Sequence, residues 1–413
     1  MKLHWQIAIA LALAAVAGAF FAPESHVIVA GAFVGTLFLN ALKMLVVPLI
    51  VSSLIQGLLN LNDPNALSRM GLKAVAYYMM TCLLAVLVGL TIVNLIQPGV
   101  INGEPAGALL GLKASGDDVV AKLGHHDMGD IVGVFTRLIP PNLIEAAGKG
   151  DILGLILFSL AFGYFCSRLP EPMASTQRNF WLGFQQVMLD ITGLVMKFAP
   201  YGVFGLVAKT IALTGLDAIR PLALFFISVL LGLATHMFVV LPLTLRFVGR
   251  VSPWRHFKAM TPALLTAFSS SSSAATLPVT MDCLQNRAGV SRRVTSFVLP
   301  LGATINLDGS ALYEIAVVMF MAQAYGLDLS FTTQIVIALL ALLTSTGIAG
   351  IPSASLVAIS VILTAVGLPL EGLGVILAVD RILDMCRTSV NVFGDSCGAV
   401  VVARLEGEDI LKE

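Results

Sequence analysis

Asp380, Asp384, Arg387, Asn391 and Asp395 recur at i, i+4, i+7, i+11 and i+15 inside a stretch that is otherwise apolar. At about 100° per residue, a helix through this stretch gathers all five within an arc of about 80°. The result is a continuous polar stripe, and no other feature constrains the fold as strongly. Ionisable groups at membrane depth cost at least about 2.5–3.5 kcal/mol each, so they persist where they have a cavity, a partner or a bound solute. The stripe is therefore the first candidate binding surface.

That this is membrane depth follows from the composition. Of 413 residues, 57% are hydrophobic and 12% charged, with a mean hydropathy of +0.93, far more apolar than a soluble domain requires. A formal net charge of +0 gives no reason to expect a nucleic-acid partner. Cys82, Cys166, Cys283, Cys386 and Cys397 are scattered and form no CxxC or Cys/His cluster, which argues against a disulfide framework or a metal site built on them. Residues 7–21 follow a short basic end as a signal peptide would, but further spans follow and the segment reads as a retained membrane helix.

Apolar runs at 7–21, 34–59, 75–96, 152–165, 187–213 and 222–247 are candidate spans, given the roughly 20 helical residues a bilayer requires. Lys2, Arg69, Lys73, Arg168, Arg178, the basic residues of 246–258, and Arg287, Arg292 and Arg293 share one side if the N-terminus is cytoplasmic. Glu104, Asp117, Asp118, Asp127 and Asp130 outnumber Lys113 and Lys122 in a segment that reads as an outside loop, where His125 and His126 are most simply a loop pair.

Downstream of Pro253 the apolar runs are broken where a spanning helix should continue. The interruptions are FSSSSSAATLP at 268–278, GATINLDGS at 302–310 and STGIAGIPSAS at 345–355. Irregular backbone at membrane depth is tolerated where it is buried in protein or lines a wet cavity. The first and third lie between apolar arms and read as re-entrant hairpins. Each hairpin precedes a polar-interrupted or polar-striped helix, so the pair suggests an internal repeat, and paired broken segments point to a transporter site.

Asn306-Leu307-Asp308-Gly309-Ser310 sets an acid, an amide and a helix breaker in mid-span. An unwound turn there supplies carbonyl oxygens beside the Asp308 carboxylate, a donor set for a hard monovalent cation; a solvated loop is the plainer alternative. At a hairpin tip, the serine run offers hydroxyls and free N–H groups to a carboxylate. A catalytic serine finds little support, because the one nearby histidine, His256, reads as a membrane-edge residue. Arg387 can hold a carboxylate bidentately and Asp384, one turn away, an ammonium, which together would recognise an acidic amino acid; a structural Asp–Arg pair is the alternative. Glu314 lies one turn beyond Ser310 among apolar residues, where an ionised carboxyl is disfavoured. It is either a proton carrier or a hydrogen-bonded interior acid. Tyr78, Thr81 and Cys82 share a face of an earlier span and can add ligands or simply pack.

SSSAATLP, NLDGSALYE, GIAGIPSAS and DRILDMCRTSVNVFGDSCGA, in this order, resemble the dicarboxylate/amino acid:cation symporter family, which includes the glutamate transporters. The resemblance runs over nearly the whole chain and is strongest from about Ala267 to Val402. It implies that Arg387, helped by Ser310, holds the substrate side-chain carboxylate, that Asp384 takes the amino group, and that Asn391 with Ser273 takes the α-carboxylate. Thr388, Ser272 and Ile351 complete the implied substrate set. For sodium it implies one site from Asp395 with carbonyls of Gly302, Asn306 and Asn391, a second from Asn306, Asp308, Tyr78 and Thr81, and a third from carbonyls of Thr304, Ser345, Thr346 and Ile348. Glu314 stands where archaeal members have Gln and resembles the acid that carries the proton in animal glutamate transporters. Cys82 stands where Ser or Thr is frequent. An arginine that the family places at the first hairpin tip or beside the last-helix Asp is absent from both, at Ser271 and Met385, which leaves Arg381 as a substitute.

The expected fold is an all-α polytopic membrane protein of about eight transmembrane helices plus two re-entrant helical hairpins with inverted repeats. The resemblance implies an elevator-type homotrimer in a bacterial-type inner membrane. Residues 1–71 would form scaffold helices 1–2, 72–98 transport-domain helix 3, 99–220 the outside loop and scaffold helices 4–5, and 221–413 the rest of the transport domain. The expected function is uptake of L-glutamate and L-aspartate with sodium and a proton as coupling ions, without a cofactor and without enzymatic activity. A C4-dicarboxylate:cation symporter is the alternative within transport. A passive anion channel or an intramembrane serine hydrolase stand outside that class.

Overall fold

A computed structural model of the chain describes residues 3–60, 69–112, 139–149, 152–214, 219–347 and 354–410. The protein is built of helices, with one short antiparallel pair, β1 (Val100–Ile101) and β2 (Glu104–Pro105). Helices dominate because in lipid each backbone N–H and C=O needs a partner within its own segment.

The first half begins with α1 (Leu3–Phe20), α2 (His26–Asn60) and α3 (Arg69–Ile96), followed by α4 (Leu143–Lys149), α5 (Ile152–Ser167), α6 (Glu171–Lys197) and α7 (Ala199–Thr214). Small residues let α1 and α2 close on α7: a side chain at Gly205 would overlap the Gly31 carbonyl, and one at Gly18 would stand 2.7 Å from the Ala208 carbonyl. Close backbone approach of this kind is how helices associate where lipid removes the hydrophobic drive. The expected span over 187–213 is instead two helices bent by 53° about Phe198. Pro200 explains the break, since it has no N–H to donate to the preceding turn and suits the first turn of a new helix.

The second half holds α8 (Ile219–Gly249), α9 (Pro253–Ser270), α10 (Ser273–Asp282), α11 (Arg292–Ile305), α12 (Asp308–Ala324), α13 (Phe331–Gly347), α14 (Ala354–Ala365) and α15 (Leu373–Leu405). Two turns of α8, His236–Val240 and Leu245–Gly249, are π-helical, a local widening often found at functional sites. The serine run turns the chain between α9 and α10: Ser271 adopts φ +52°, and Ser272 caps α10 by accepting from Ala275 N at 3.2 Å. Asn306 and Leu307 leave the helical region (φ −114°, ψ 82° and φ −111°, ψ 57°), so the helix breaks in mid-span and restarts at Asp308. α13 and α14 flank the third interruption, whose residues 348–353 lie outside the described set, Ile348 and Ile351 among them.

Three apolar clusters reach α15: one from α3, α8 and α12–α14, another from α3, α8–α11 and the C-terminal half of α15 itself, and a third in which Leu356 and Leu377 pack against α1, α2 and α7. The far end of α15 is tied down, with Lys73 2.6 Å from Glu406, Arg404 donating to the Gly249 carbonyl at 3.2 Å, and Ser291 bonded to Glu408. Outside, the polarity is inverted: Phe20 and Leu95 are each 83% exposed while Arg387 is wholly enclosed. Met70–Ile96, Ile219–Gly249 and Arg292–Ala324 are long and apolar enough to cross a bilayer by length and composition.

Candidate functional site

α15 is helical throughout the polar stripe, and the stripe turns inward. Asp380, Asp384, Arg387, Asn391 and Asp395 are all buried, whereas Ile382, on another face, is 54% exposed. The spacing in the sequence therefore marks a face turned to protein.

Arg387 stands at its centre. Nη2 lies 2.7 Å from Asp384 Oδ1 and 3.2 Å from Asp380 Oδ1, and the guanidinium carbon is 3.9 Å from the centre of the Tyr313 ring. Charge on both sides and an aromatic face above compensate a cation that water does not reach. Asp384 Oδ2 also accepts from Arg381 Nη1 at 3.3 Å. Asp380, without a role on sequence grounds, and Arg381, the substitute for the missing arginine, thus join Asp384 and Arg387 in one cluster of two acids and two guanidinium groups. The cluster has spare donors: Arg387 Nε and Nη1 and Arg381 Nε are buried without a hydrogen-bond partner among the described residues. Buried donors left unsatisfied are destabilising, and an anion supplies what they lack. Asp384, expected to face an ammonium, has both oxygens turned to guanidinium groups; at this depth a carboxylate takes the nearest cation.

Asn391 ties the stripe to the broken helix. Its Oδ1 accepts from Gly309 N at 2.8 Å and its Nδ2 donates to Ser310 Oγ at 3.3 Å. This requires a glycine, since a Cβ at 309 would stand 2.7 Å from the Arg387 carbonyl. Thr388 donates back to the Asp384 carbonyl at 2.8 Å. At the hairpin tip Ser273 is buried, and α9 is linked to α15 by Ser389, which donates to the Leu264 carbonyl at 3.4 Å.

One turn further, oxygen atoms gather around the helix break. Asn306 Nδ2 donates to Asp395 Oδ1 at 3.1 Å, and the Tyr78 hydroxyl lies 3.1 Å from the Asp395 carbonyl and 3.2 Å from that of Val298. Thr81 Oγ1 is 3.1 Å from the Tyr78 carbonyl, 3.3 Å from Asn306 Oδ1 and 3.4 Å from Asp308 Oδ1. One hydroxyl proton cannot serve three acceptors, so the cluster is rich in oxygen and poor in donors. Such a set suits a hard cation of low charge. Gly302 is packed against it, since a Cβ there would lie 2.9 Å from Asp395 Oδ1. Thr304 bonds back to the Pro300 carbonyl at 2.9 Å. Ser345 is buried 3.4 Å from Cys82 Sγ, and Thr346 follows it in the last turn of α13.

Residues the sequence reading did not single out complete the picture. His236 Nε2 lies 3.1 Å from Asp308 Oδ2, with both side chains fully buried and His236 Nδ1 unpartnered among the described residues. Its signal was a lone imidazole in an apolar span. Tyr313 supplies the ring over Arg387, and Thr344 donates to Glu314 Oε2 at 3.0 Å. His256, placed at the membrane edge by sequence, is instead enclosed against Phe393, with Nε2 2.9 Å from Ser396 Oγ. This Ser–His pair is sealed from any acyl substrate, so it gives no support to hydrolysis.

The family model for the sodium:dicarboxylate symporter family matches residues 3–405. The chain is 36% identical over 406 residues to the proton/sodium-glutamate symport protein of Geobacillus stearothermophilus, covering 98% of this chain and 95% of that protein. It is 35% identical over 416 residues to the proton/glutamate-aspartate symporter of Escherichia coli, covering 98% and 93%. Excitatory amino acid transporter 3 of Oryctolagus cuniculus is 36% identical over 420 residues, covering 92% and 80%.

Proposed function

The chain belongs to the sodium:dicarboxylate symporter family, and we propose that it is a secondary active symporter taking up L-glutamate and L-aspartate with sodium and a proton. The observation that carries this reading is Arg387: a fully buried guanidinium on an aromatic face, with Nε and Nη1 unpartnered among the described residues. Arg387 with Ser310 holds the side-chain carboxylate, Asp384 the amino group, and Asn391, Ser272, Ser273 and Thr388 the rest of the substrate. Sodium is cargo, taken by Asp395 with Gly302, Asn306 and Asn391, by Asn306, Asp308, Tyr78 and Thr81, and by Thr304, Ser345 and Thr346. Glu314 carries the proton. In proteoliposomes, Arg387→Ala abolishes sodium-driven aspartate and glutamate uptake, and undiminished uptake by that variant would overturn the assignment.

The protein is a multi-pass membrane protein. Its proposed architecture is a homotrimer in a bacterial-type inner membrane, with α1, α2 and α5–α7 as a fixed scaffold and α3 with α8–α15 moving as an elevator. The close glycine contacts of α1 and α2 with α7 support a rigid first unit, and the shared cores around α15 a second.

A second reading, C4-dicarboxylate:cation symport, is favoured by one contact: Arg381 already occupies Asp384 Oδ2, which lessens the demand for a substrate ammonium. Competition of succinate against radiolabelled aspartate separates the two.

A further inference from the structure

Glu314 lies fully buried in α12, and its two oxygens differ in surroundings. Oε2 is 3.0 Å from Thr344 Oγ1 on α13, while Oε1 has no partner among the described residues. Thr344 is buried too, and its hydroxyl also lies 2.8 Å from the Leu340 carbonyl and 3.2 Å from that of Ala341. It holds one proton and can accept as well as donate.

That arithmetic gives the pair two arrangements. When Glu314 is ionised, Thr344 donates to Oε2 and releases the Leu340 carbonyl. When Oε2 is protonated, its O–H donates to Thr344 Oγ1, and the threonine proton returns to Leu340. The same hydroxyl satisfies both protonation states, with no bond other than O–H made or broken. Few other groups can share this task. Among the described residues, Arg387 on α15 and Cys82 on α3 are the charged or titratable groups that feel Glu314 from neighbouring elements. α13 and α14 carry no ionisable side chain, and His236 on α8 is engaged with Asp308.

We infer that Thr344 is a positioning residue for proton coupling: it sets the pH at which Glu314 loads and passes the protonation state to the backbone of α13. This rests on the reading of Glu314 as the proton carrier. α13 also bears Ser345 and Thr346, so the proton and a proposed cation site meet on adjacent residues of one helix.

The test is the pH profile of sodium-driven aspartate uptake by the full chain in proteoliposomes, for wild type, Glu314→Gln, Thr344→Val and Thr344→Ser. Glu314→Gln is expected to flatten the profile. Thr344→Val removes the donor to the ionised carboxylate, so the proton is held more tightly and the midpoint rises by about one pH unit, a tenfold change in proton affinity. Thr344→Ser restores the wild-type midpoint. A wild-type midpoint in Thr344→Val, or an equal shift in Thr344→Ser, overturns the role of Thr344. A profile that stays pH-dependent in Glu314→Gln overturns instead the reading beneath it. Should Thr344→Val fail to reconstitute, Thr344→Ala removes the same hydroxyl without adding bulk and carries the same expectation.

Discussion

Gly309→Ala puts a single methyl group where two helices touch. A Cβ at this position lies 2.7 Å from the Arg387 carbonyl oxygen and 3.1 Å from Arg387 Cα, both backbone atoms that no rotamer change can remove. Ordinary contact begins at 3.4 Å, so the start of α12 must retreat from α15 by about 0.7 Å. The Gly309 N–H to Asn391 Oδ1 bond, 2.8 Å long, then stretches to about 3.5 Å, past the useful range. Overpacking of this kind costs about 1–3 kcal/mol and the lost hydrogen bond about 1 kcal/mol. If half of that strain falls on the compact, ligand-ready arrangement, affinity drops about tenfold. Because Asn391 touches both proposed sets, the loss is expected for aspartate and sodium alike. Equilibrium binding of labelled aspartate across a sodium titration, on detergent-purified protein of normal elution volume, measures it. Wild-type affinities for both ligands in a folded Gly309→Ala variant would refute the coupling of α12 to α15 through residue 309.

Two further outcomes are expected. Arg381→Ala removes the competing guanidinium contact at Asp384 Oδ2, so the preference for aspartate over succinate in competition uptake rises about fivefold, by the roughly 1 kcal/mol of one hydrogen-bonded contact; an unchanged ratio refutes the pairing as a determinant of substrate choice. His236→Phe removes the hydrogen bond to Asp308 and raises the sodium concentration for half-maximal uptake about tenfold or more, from the roughly 1.5–3 kcal/mol of a bond to a charged group, with unaltered sodium dependence as the refuting result.

What the sequence reveals depends on whether the signal is local. The stripe on α15 was legible because helical periodicity fixes which residues share a face, and the break at Asn306–Leu307 because Asp-Gly interrupts an apolar run. Pro200 was not, since the residues on both sides of the bend, Lys197 apart, stay apolar and composition does not register a change of direction. The partners of individual atoms were hidden for another reason. Asp308 and His236 are 72 positions apart, Glu314 and Thr344 30 apart, and nothing in either segment names the other. Within the stripe, three acids and two arginines allow several pairings, and only packing selects Asp380 and Asp384 for Arg387.

The pairing chosen bears on how ion and substrate are coupled. Asn306 bonds Asp395 through one end of its amide and lies beside Thr81 at the other, while Asn391, one turn from Asp395, holds Gly309 and Ser310. In the proposed sodium site, a cation that neutralises Asp395 would remove the need for the Asn306 N–H there and let that amide reorient toward Thr81 and Asp308. The next ligand then meets a rearranged oxygen set without any helix having moved. On the other side of Asn391, the start of α12 carries Ser310 to within one turn of Glu314 and lies against Arg387 at Gly309. Residues shared between the proposed sites would make the coupling reciprocal: whatever free energy sodium contributes to substrate binding, substrate returns to sodium. Coupling of this form needs neighbouring sites on one stiff scaffold, and the unbroken helix from Leu373 to Leu405 provides it.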